Sequence, residues 1–157
     1  MKKKSAGILV YRDIDGSHEV FLVHPGGPYW VKKDLNAWSV PKGEPDDEED
    51  LFVAAKREFG EETGLEISGD FMELEPVKQP SGKIIYTWAV ESDLDASAVE
   101  SNLFEMEWPP GSGKTGKFPE VDRAGWFSFE TARQKIVKGQ IPILDQLERK
   151  LRRLPAE

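Results

Sequence analysis

The sequence predicts a single α/β domain in which a mixed β-sheet lies between helices. The chain has 157 residues, close to the commonest size of one domain, and no repeat, linker or shift in composition divides residues 1–157. Short apolar segments typical of strands occur on both sides of a helical segment, and two further helical segments close the chain. Strands and helices in this mixed order are typical of a sheet covered by helices.

The strands are predicted from apolar runs that are bounded by turn-forming residues. The first two are expected to form a hairpin, because the stretch Asp13–Gly16 between them supplies turn residues. The fifth is a nearly continuous apolar run, KIIYTWAV, which favours a central place in the sheet. In chain order, the predicted strands are Ala6–Tyr11, Glu19–His24, Ala37–Val40, Phe71–Leu74, Lys83–Val90, Asn102–Glu107 and Gly125–Phe129.

Three helices are predicted, together with two loops. The first helix is expected within Asp47–Glu62, which lacks Pro and has acidic residues at its front, and Gly64 stands where a helix stop is expected. The second is expected over Phe129–Val137. The third, Pro142–Leu154, has apolar residues at helical spacing. The expected loops are Pro25–Asn36 and Pro109–Pro119.

The charge balance argues against nucleic acid and membranes as partners. The chain carries 29 acidic and 21 basic side chains, which gives a formal net charge of −8. Because non-specific binding to phosphate-rich surfaces depends on Lys and Arg, we expect neither nucleic-acid nor membrane binding. The absence of Cys excludes disulfides and thiol catalysis, and the apolar runs are shorter than a signal-peptide core. We therefore expect a cytoplasmic protein, and the sequence predicts no particular oligomeric state.

The first predicted helix carries carboxylates on its apolar side. At about 100° of rotation per residue, Ala55, Glu58 and Glu62 fall within about 40° of Leu51, with Glu61 on the shoulder of this stripe. A solvated acidic face is the alternative, but it would place the carboxylates opposite the apolar residues. Close carboxylates at the negative end of a helix dipole repel one another unless a cation joins them. Oxygen ligands indicate a hard metal, so Mg²⁺ or Mn²⁺ is the expected cofactor.

The segment from Gly43 to Leu65 resembles the Nudix box in full. Gly43, Glu49 and the run REFGEETGL, which begins at Arg57, stand at the spacing of that motif. The resemblance implies the Nudix α/β/α sandwich and metal-dependent hydrolysis of a nucleoside diphosphate that is linked to another group. It also implies that Glu49 helps to hold the motif together.

The same resemblance implies roles for the other residues of the motif. Glu58, Glu61 and Glu62 would supply metal ligands or the base that activates the attacking water, and the carbonyl of Gly43 would also ligate the metal. Arg57 would orient a carboxylate. A bound Mg²⁺ would neutralise the diphosphate, polarise the attacked phosphorus and acidify a water molecule. Which Glu acts as the base stays open.

Residues outside the motif resemble asymmetric diadenosine tetraphosphate hydrolases. The approach Trp38–Gly43 is similar, and Glu120 stands six residues before Trp126, where those enzymes place a further catalytic or metal-binding Glu. One departure is Glu44, which stands where a His would follow. The resemblance implies a small-molecule nucleotide as partner and a dinucleoside polyphosphate as substrate. A surface-loop acid is the other interpretation of Glu120.

Three alternative functions stay open. Two are enzymatic, namely hydrolysis of ADP-ribose or nucleotide sugars and removal of damaged nucleoside triphosphates. The third is a non-catalytic module that senses a nucleotide. Such modules commonly lose the carboxylates of the motif, whereas Glu58, Glu61 and Glu62 are all present.

Four further residues are candidates for substrate binding. Tyr29 and Trp30 could stack on a base, and Lys42 would place a positive charge where a phosphate chain runs. Lys114 lies in Gly111–Thr115, which resembles only part of a phosphate-binding loop and indicates a mobile loop whose Lys could touch phosphates. Loop packing with solvated lysines is the alternative for each of them.

Overall fold

The computed structural model describes residues 3–153 and confirms the α/β sandwich. The strands of this part of the chain are β1 (Lys4–Ile14), β2 (Ser17–Pro25), β3 (Lys42–Gly43), β4 (Met72–Glu73), β5 (Val77–Lys78), β6 (Ile84–Glu91), β7 (Leu103–Glu107), β8 (Thr115–Pro119) and β9 (Val121–Ser128). Its α-helices are α1 (Leu51–Thr63), α2 (Phe129–Lys135) and α3 (Ile141–Arg153).

Seven strands form one mixed sheet. Its order is β4-β6-β1-β2-β9, with β3 paired to β1 and β5 paired to β6. The β1–β6 pair is parallel and the other pairs of the sheet are antiparallel. The central position that we expected for β6 belongs to β1, which is buried from Ser5 to Val10 because both faces of the sheet are covered.

Two apolar cores lie on the two faces of the sheet. Ile8 belongs to the core beneath α1, together with Phe59 of that helix, whereas Leu9 belongs to the core beneath α3, together with Leu147. Neighbouring residues of β1 enter opposite cores because successive side chains of a strand point to opposite faces. The sandwich therefore holds α1 firmly against one face.

The ends of α1 are set by local capping. The helix begins at Leu51, later than the predicted Asp47, because Asp50 is the N-cap and its carboxylate accepts a hydrogen bond of 3.1 Å from the N–H of Val53. Gly64 ends the helix as predicted, with φ at 71°, a left-handed conformation that favours glycine. The C-terminal turn of α1 is thereby fixed next to β3.

Helix α3 buries the apolar stripe that its spacing predicts. Ile143, Leu144, Leu147 and Leu151 are all buried, while Leu154 of the predicted helix lies outside the described residues. Among the described residues, no helix is long and apolar enough to cross a membrane.

Two predicted elements were wrong. Residues of Ala37–Val40 do not form a strand of the sheet, because Trp38 and Ser39 make only isolated bridges to Ile136 and Val23. The predicted loop Pro109–Pro119 contains β8, which pairs with β7 in a two-stranded ribbon apart from the main sheet. The many turn-forming residues of this segment favoured a loop over a strand. The partner of β8, strand β7, lies on the other side of the turn.

Candidate active site

Arg57 organises the acidic surface of α1. Its guanidinium donates two hydrogen bonds of 2.9 Å to the two carboxylate oxygens of Glu49, and Nη1 donates to Glu58 at 2.8 Å and to Glu61 at 3.0 Å. Nη2 also donates to the carbonyl of Glu44 at 3.2 Å. The hydrogen bonds from Arg57 lower the pKa of the Glu49 carboxyl to about 2. One planar cation therefore fixes the directions of two of the three candidate metal ligands.

Glu58 lies against the backbone of Gly43. A Cβ on Gly43 would stand 1.9 Å from Oε2 of Glu58, so any other residue would push the carboxylate away. Gly43 is itself held in β3 by pairing with Ala6 of β1. Burial raises the pKa of Glu58 even though Arg57 opposes the shift. The carboxylate of Glu58 therefore occupies space that is free only because residue 43 has no side chain.

Glu62 and Lys42 form a partly buried polar pair at the edge of β3. The backbone N–H of Lys42 donates a hydrogen bond of 3.2 Å to Oε1 of Glu62. Burial raises the pKa of Glu62 to about 7, against the lowering effect of Lys42. Burial also lowers the pKa of the Lys42 ammonium. A carboxyl group with this pKa can exchange a proton near neutral pH.

Glu120 lies near these carboxylates although it is distant from them in the sequence. It stands between β8 and β9, where its N–H donates to the carbonyl of Asn102 and its own carbonyl accepts from the N–H of Gly26, both at 2.9 Å. Glu120 is exposed, but partial desolvation by the surrounding protein raises its pKa, and the nearby charge of Glu61 adds to the shift. The structure thus brings Glu120 to the carboxylates of α1 and not to a remote surface loop.

The cleft above these residues has two lobes. The first, which we call the β3 lobe, has a volume of about 350 Å³, and the second, the ribbon lobe, has about 440 Å³. Both lobes are lined by Glu62, Glu120, Pro25 and Trp30, so the carboxylates lie where the lobes meet.

The candidate substrate-binding residues divide between the lobes, with one exception. Lys42 lines the β3 lobe, Tyr29 lines the ribbon lobe, and Trp30 lines both. The ring of Tyr29 meets the ring of Trp108 edge to face, with centroids 5.2 Å apart. Lys114 lies in the exposed turn of the β7–β8 ribbon, and the structure does not bring it into either lobe.

The sequence did not single out several residues that line the cleft. Phe104 and Met106 line the ribbon lobe, and the alternation of apolar and acidic residues in β7 is a signal that could have found them. Gln79 and Gln140 line the β3 lobe. The buried Gln140 accepts a hydrogen bond of 2.9 Å from the N–H of Val40, a contact that no local pattern indicates.

The donor set fits a hard divalent cation. Over residues 3–153, no three His, Cys, Asp or Glu side chains are arranged as a ready metal cage. Three observations nevertheless favour a cation here: the donors are carboxylate oxygens, Glu58 lies in the space that Gly43 leaves, and burial raises the pKa values of Glu58 and Glu62. A cation would stabilise the charged forms of these groups.

Comparison with protein families is decisive for the class of this domain. Residues 1–147 match the family model described as the NUDIX domain. The chain belongs to the Nudix family. This membership supports a pyrophosphohydrolase, the enzyme class that the sequence predicts. A comparison with curated protein sequences found no match.

Solved structures show that the Nudix fold extends over the chain. The NUDIX domain of Shewanella oneidensis NrtR, solved with ADP ribose, is 14% identical with a TM-score of 0.68, covering 96% of this chain and 89% of that one. The C. elegans Ap4A hydrolase in a binary complex is 20% identical with a TM-score of 0.62, covering 97% and 99%. A NUDIX hydrolase structure from Listeria monocytogenes is 18% identical with a TM-score of 0.65, covering 96% and 95%. At these identities the likeness shows the fold.

Proposed function

We propose that this Nudix protein uses a divalent metal to hydrolyse a diphosphate linkage in a nucleoside polyphosphate, with diadenosine tetraphosphate as the leading candidate. The observation that carries the proposal is the position of Glu62 and Glu120 at the junction of two lobes. A phosphate chain over this junction lies beside the carboxylates, and each lobe is left for the group at one end of the chain.

The residues of α1 would hold the metal. Glu58, Glu61 and Glu62, with the carbonyl of Gly43, form the proposed ligand set for Mg²⁺ or Mn²⁺. The metal supplies neutralisation of phosphate charge and a more acidic water. Arg57 keeps the carboxylates of Glu58 and Glu61 turned toward one point, since it donates to both from the same nitrogen.

The proton of the attacking water would pass to a carboxylate at the junction. Glu62 and Glu120 are the two candidates, because both carboxylates line both lobes where the phosphate chain is proposed to lie. The water oxygen bonds to phosphorus, the bridging oxygen leaves with the departing phosphate group, and the carboxylate takes the proton. General-base catalysis needs a base that is held in place, and two backbone hydrogen bonds, to Asn102 and from Gly26, fix the position of Glu120 in the chain.

The chemistry of the lobes supports a substrate with two ends. The ribbon lobe offers the aromatic surfaces of Tyr29, Trp30 and Phe104, which suit a stacked base. The β3 lobe offers Lys42 beside the junction, where positive charge suits a longer phosphate chain. The similar Ap4A hydrolase from C. elegans supports the same substrate class.

ADP-ribose is the second candidate. The β3 lobe is lined by the polar side chains Ser39, Gln79 and Gln140, and such groups suit the hydroxyls of a ribose. The similar NUDIX domain of NrtR was solved with ADP ribose. Hydrolysis of damaged nucleoside triphosphates and non-catalytic nucleotide sensing are the remaining alternatives.

Product analysis on both substrates tests the proposal. With Mg²⁺, we expect diadenosine tetraphosphate to give ATP and AMP, and to be cleaved faster than ADP-ribose. Lys42→Met removes the charge but keeps the length of the side chain, and we expect it to slow cleavage of the tetraphosphate more than cleavage of ADP-ribose. Lys32→Met changes an exposed lysine outside both lobes and is the matched control. Faster cleavage of ADP-ribose would replace the substrate assignment, and no cleavage of any nucleotide would overturn the enzymatic proposal.

A further inference from the structure

His24 occupies a buried position that the proposed reaction does not use. Its side chain at the end of β2 is fully buried, and its ring meets the ring of Trp38 edge to face, with centroids 5.1 Å apart. The chain has two His residues, and the other, His18, lies at the opposite end of the same strand. A buried polar ring needs hydrogen-bond partners.

Both ring nitrogens of His24 have an oxygen partner. Nδ1 lies 2.8 Å from Oδ1 of Asp122, and Nε2 lies within hydrogen-bond distance of the backbone carbonyl of Lys33. A carbonyl and a carboxylate both accept hydrogen bonds, so a ring with hydrogen on both nitrogens satisfies both partners. The ring thereby joins β9 to the loop Pro25–Asn36.

The backbone is irregular where this bridge forms. The pairing of β2 with β9 passes from His24–Arg123 directly to Pro25–Val121, so Asp122 stands outside the ladder. A bulge of this kind redirects a side chain locally, and here the carboxylate of Asp122 meets His24. Pro25 and Val121, which follow and precede the bridge, line the β3 lobe.

Two contacts anchor the ends of the loop that carries Trp30, and the His24 bridge is one of them. At the start of this loop, the N–H of Gly26 donates to the carbonyl of Glu120 at 2.9 Å. At its end, the carbonyl of Lys33 is held by His24. Trp30 lies between the two anchors, its side chain is 39% exposed, and it lines both lobes of the cleft.

We propose that His24 is a positioning residue, which holds Trp30 against the nucleotide through its hydrogen bonds to Asp122 and Lys33. The inference rests on the proposed function in that the cleft binds a nucleotide. Glu120 has its own anchor, because its N–H donates to the carbonyl of Asn102. Loss of the bridge therefore weakens binding and leaves Glu120, a candidate base, in place.

A double-mutant cycle tests whether His24 acts through Trp30. The variants are His24→Phe, which keeps a ring of similar size, Trp30→Ala and the pair, with His18→Phe as the matched control. Each is assayed for KM and kcat with diadenosine tetraphosphate and for the Kd of AMP without turnover. We expect His24→Phe to raise KM and Kd about tenfold, to change kcat less than about threefold, and to have almost no further effect in the Trp30→Ala protein.

Nitrogen-15 NMR of the histidine rings tests the bridge itself, including in protein that carries no substitution. With His18→Phe assigning the second ring, we expect two slowly exchanging N–H protons on His24. In Asp122→Asn, whose amide can still form a hydrogen bond with Nδ1 of His24, we expect a KM within about threefold of the wild-type value.

The outcomes separate this inference from the proposed function. Equal effects of His24→Phe with and without Trp30 would show a merely structural role and overturn the inference, as would a single ring N–H or an AMP affinity that His24→Phe leaves unchanged. Failure of AMP to bind the wild-type protein would also overturn it. Absence of hydrolysis alone would overturn the proposed function, while the AMP affinities and the NMR spectra would still decide the role of His24.

Discussion

The backbone N–H of Lys42 donates a hydrogen bond to the carboxylate of Glu62 across 3.2 Å, and this contact joins β3 to the last turn of α1. This hydrogen bond does not fully compensate the charge of Glu62, since burial still raises the pKa of its carboxyl group to about 7. The most acidic side of the helix thus faces the cleft with one carboxyl group poised between its two protonation states.

The first prediction concerns stability against pH in excess chelator. The folded chain binds the Glu62 proton more tightly than the unfolded chain does, because burial raises the pKa from 4.5 to about 7. This contribution to stability is present at low pH and is lost as the pH rises to about 7. Between pH 5 and pH 8 we expect Glu62 to account for a loss of about 2 to 3 kcal/mol in the free energy of unfolding.

Glu62→Gln isolates this contribution. In the variant we expect a smaller decline in the free energy of unfolding over the same pH range, and greater stability than wild type at pH 8 without metal. Urea denaturation at several pH values measures both. Parallel pH profiles for the two proteins would contradict the raised pKa. Glu66→Gln changes an exposed carboxylate just beyond the motif and is the control.

The second prediction concerns metal removal. Hydrolysis should stop in excess chelator and return when Mg²⁺ or Mn²⁺ is added back, because the proposed ligands are all oxygens. Metal should also raise the thermal unfolding temperature in wild type and less so in Glu58→Gln. Calorimetric titration with Mg²⁺ gives the affinity directly. Full activity in the presence of chelator would rule out the proposed ligand set.

The third prediction concerns turnover. Glu61→Gln and Glu62→Gln keep side-chain size and remove a charge, and each should lower kcat by about a hundredfold or more with the fold intact. Circular dichroism checks the fold, and Glu66→Gln should retain wild-type turnover. Near wild-type turnover at saturating metal would show that the residue concerned is neither an essential ligand nor the base.

The fourth prediction concerns Arg57. Lysine cannot reproduce the two parallel hydrogen bonds to Glu49, so Arg57→Lys should lower the free energy of unfolding by about 1 to 3 kcal/mol and also lower kcat. The comparison is Arg152→Lys, in which the exposed Arg152 forms an i,i+4 pair with Glu148, and this change should alter stability by less than about 0.5 kcal/mol. Equal effects of the two substitutions on the free energy of unfolding would contradict the role of Arg57 in organising these carboxylates.

Local features were predictable because a few neighbouring residues encode them. The apolar stripe of α1, its carboxylates and the stop at Gly64 follow from periodicity and capping within one turn or two. The start at Leu51 was misplaced because several acidic residues precede it and only the structure shows that Asp50 is the cap. The fold class followed from the order of such elements and from the motif.

The sequence by itself determined the sandwich, the acidic helix and the family motif, since each depends on residues close together in the chain. Only the tertiary structure decided which distant groups meet: Glu120 joins Glu62, His24 bridges Asp122 and Lys33, and Lys114 stays outside both lobes. These contacts depend on strand register, on the bulge in β9 and on the pairing of β7 with β8. Such contacts join segments far apart in the chain, and the periodicity of apolar residues within one segment does not indicate them.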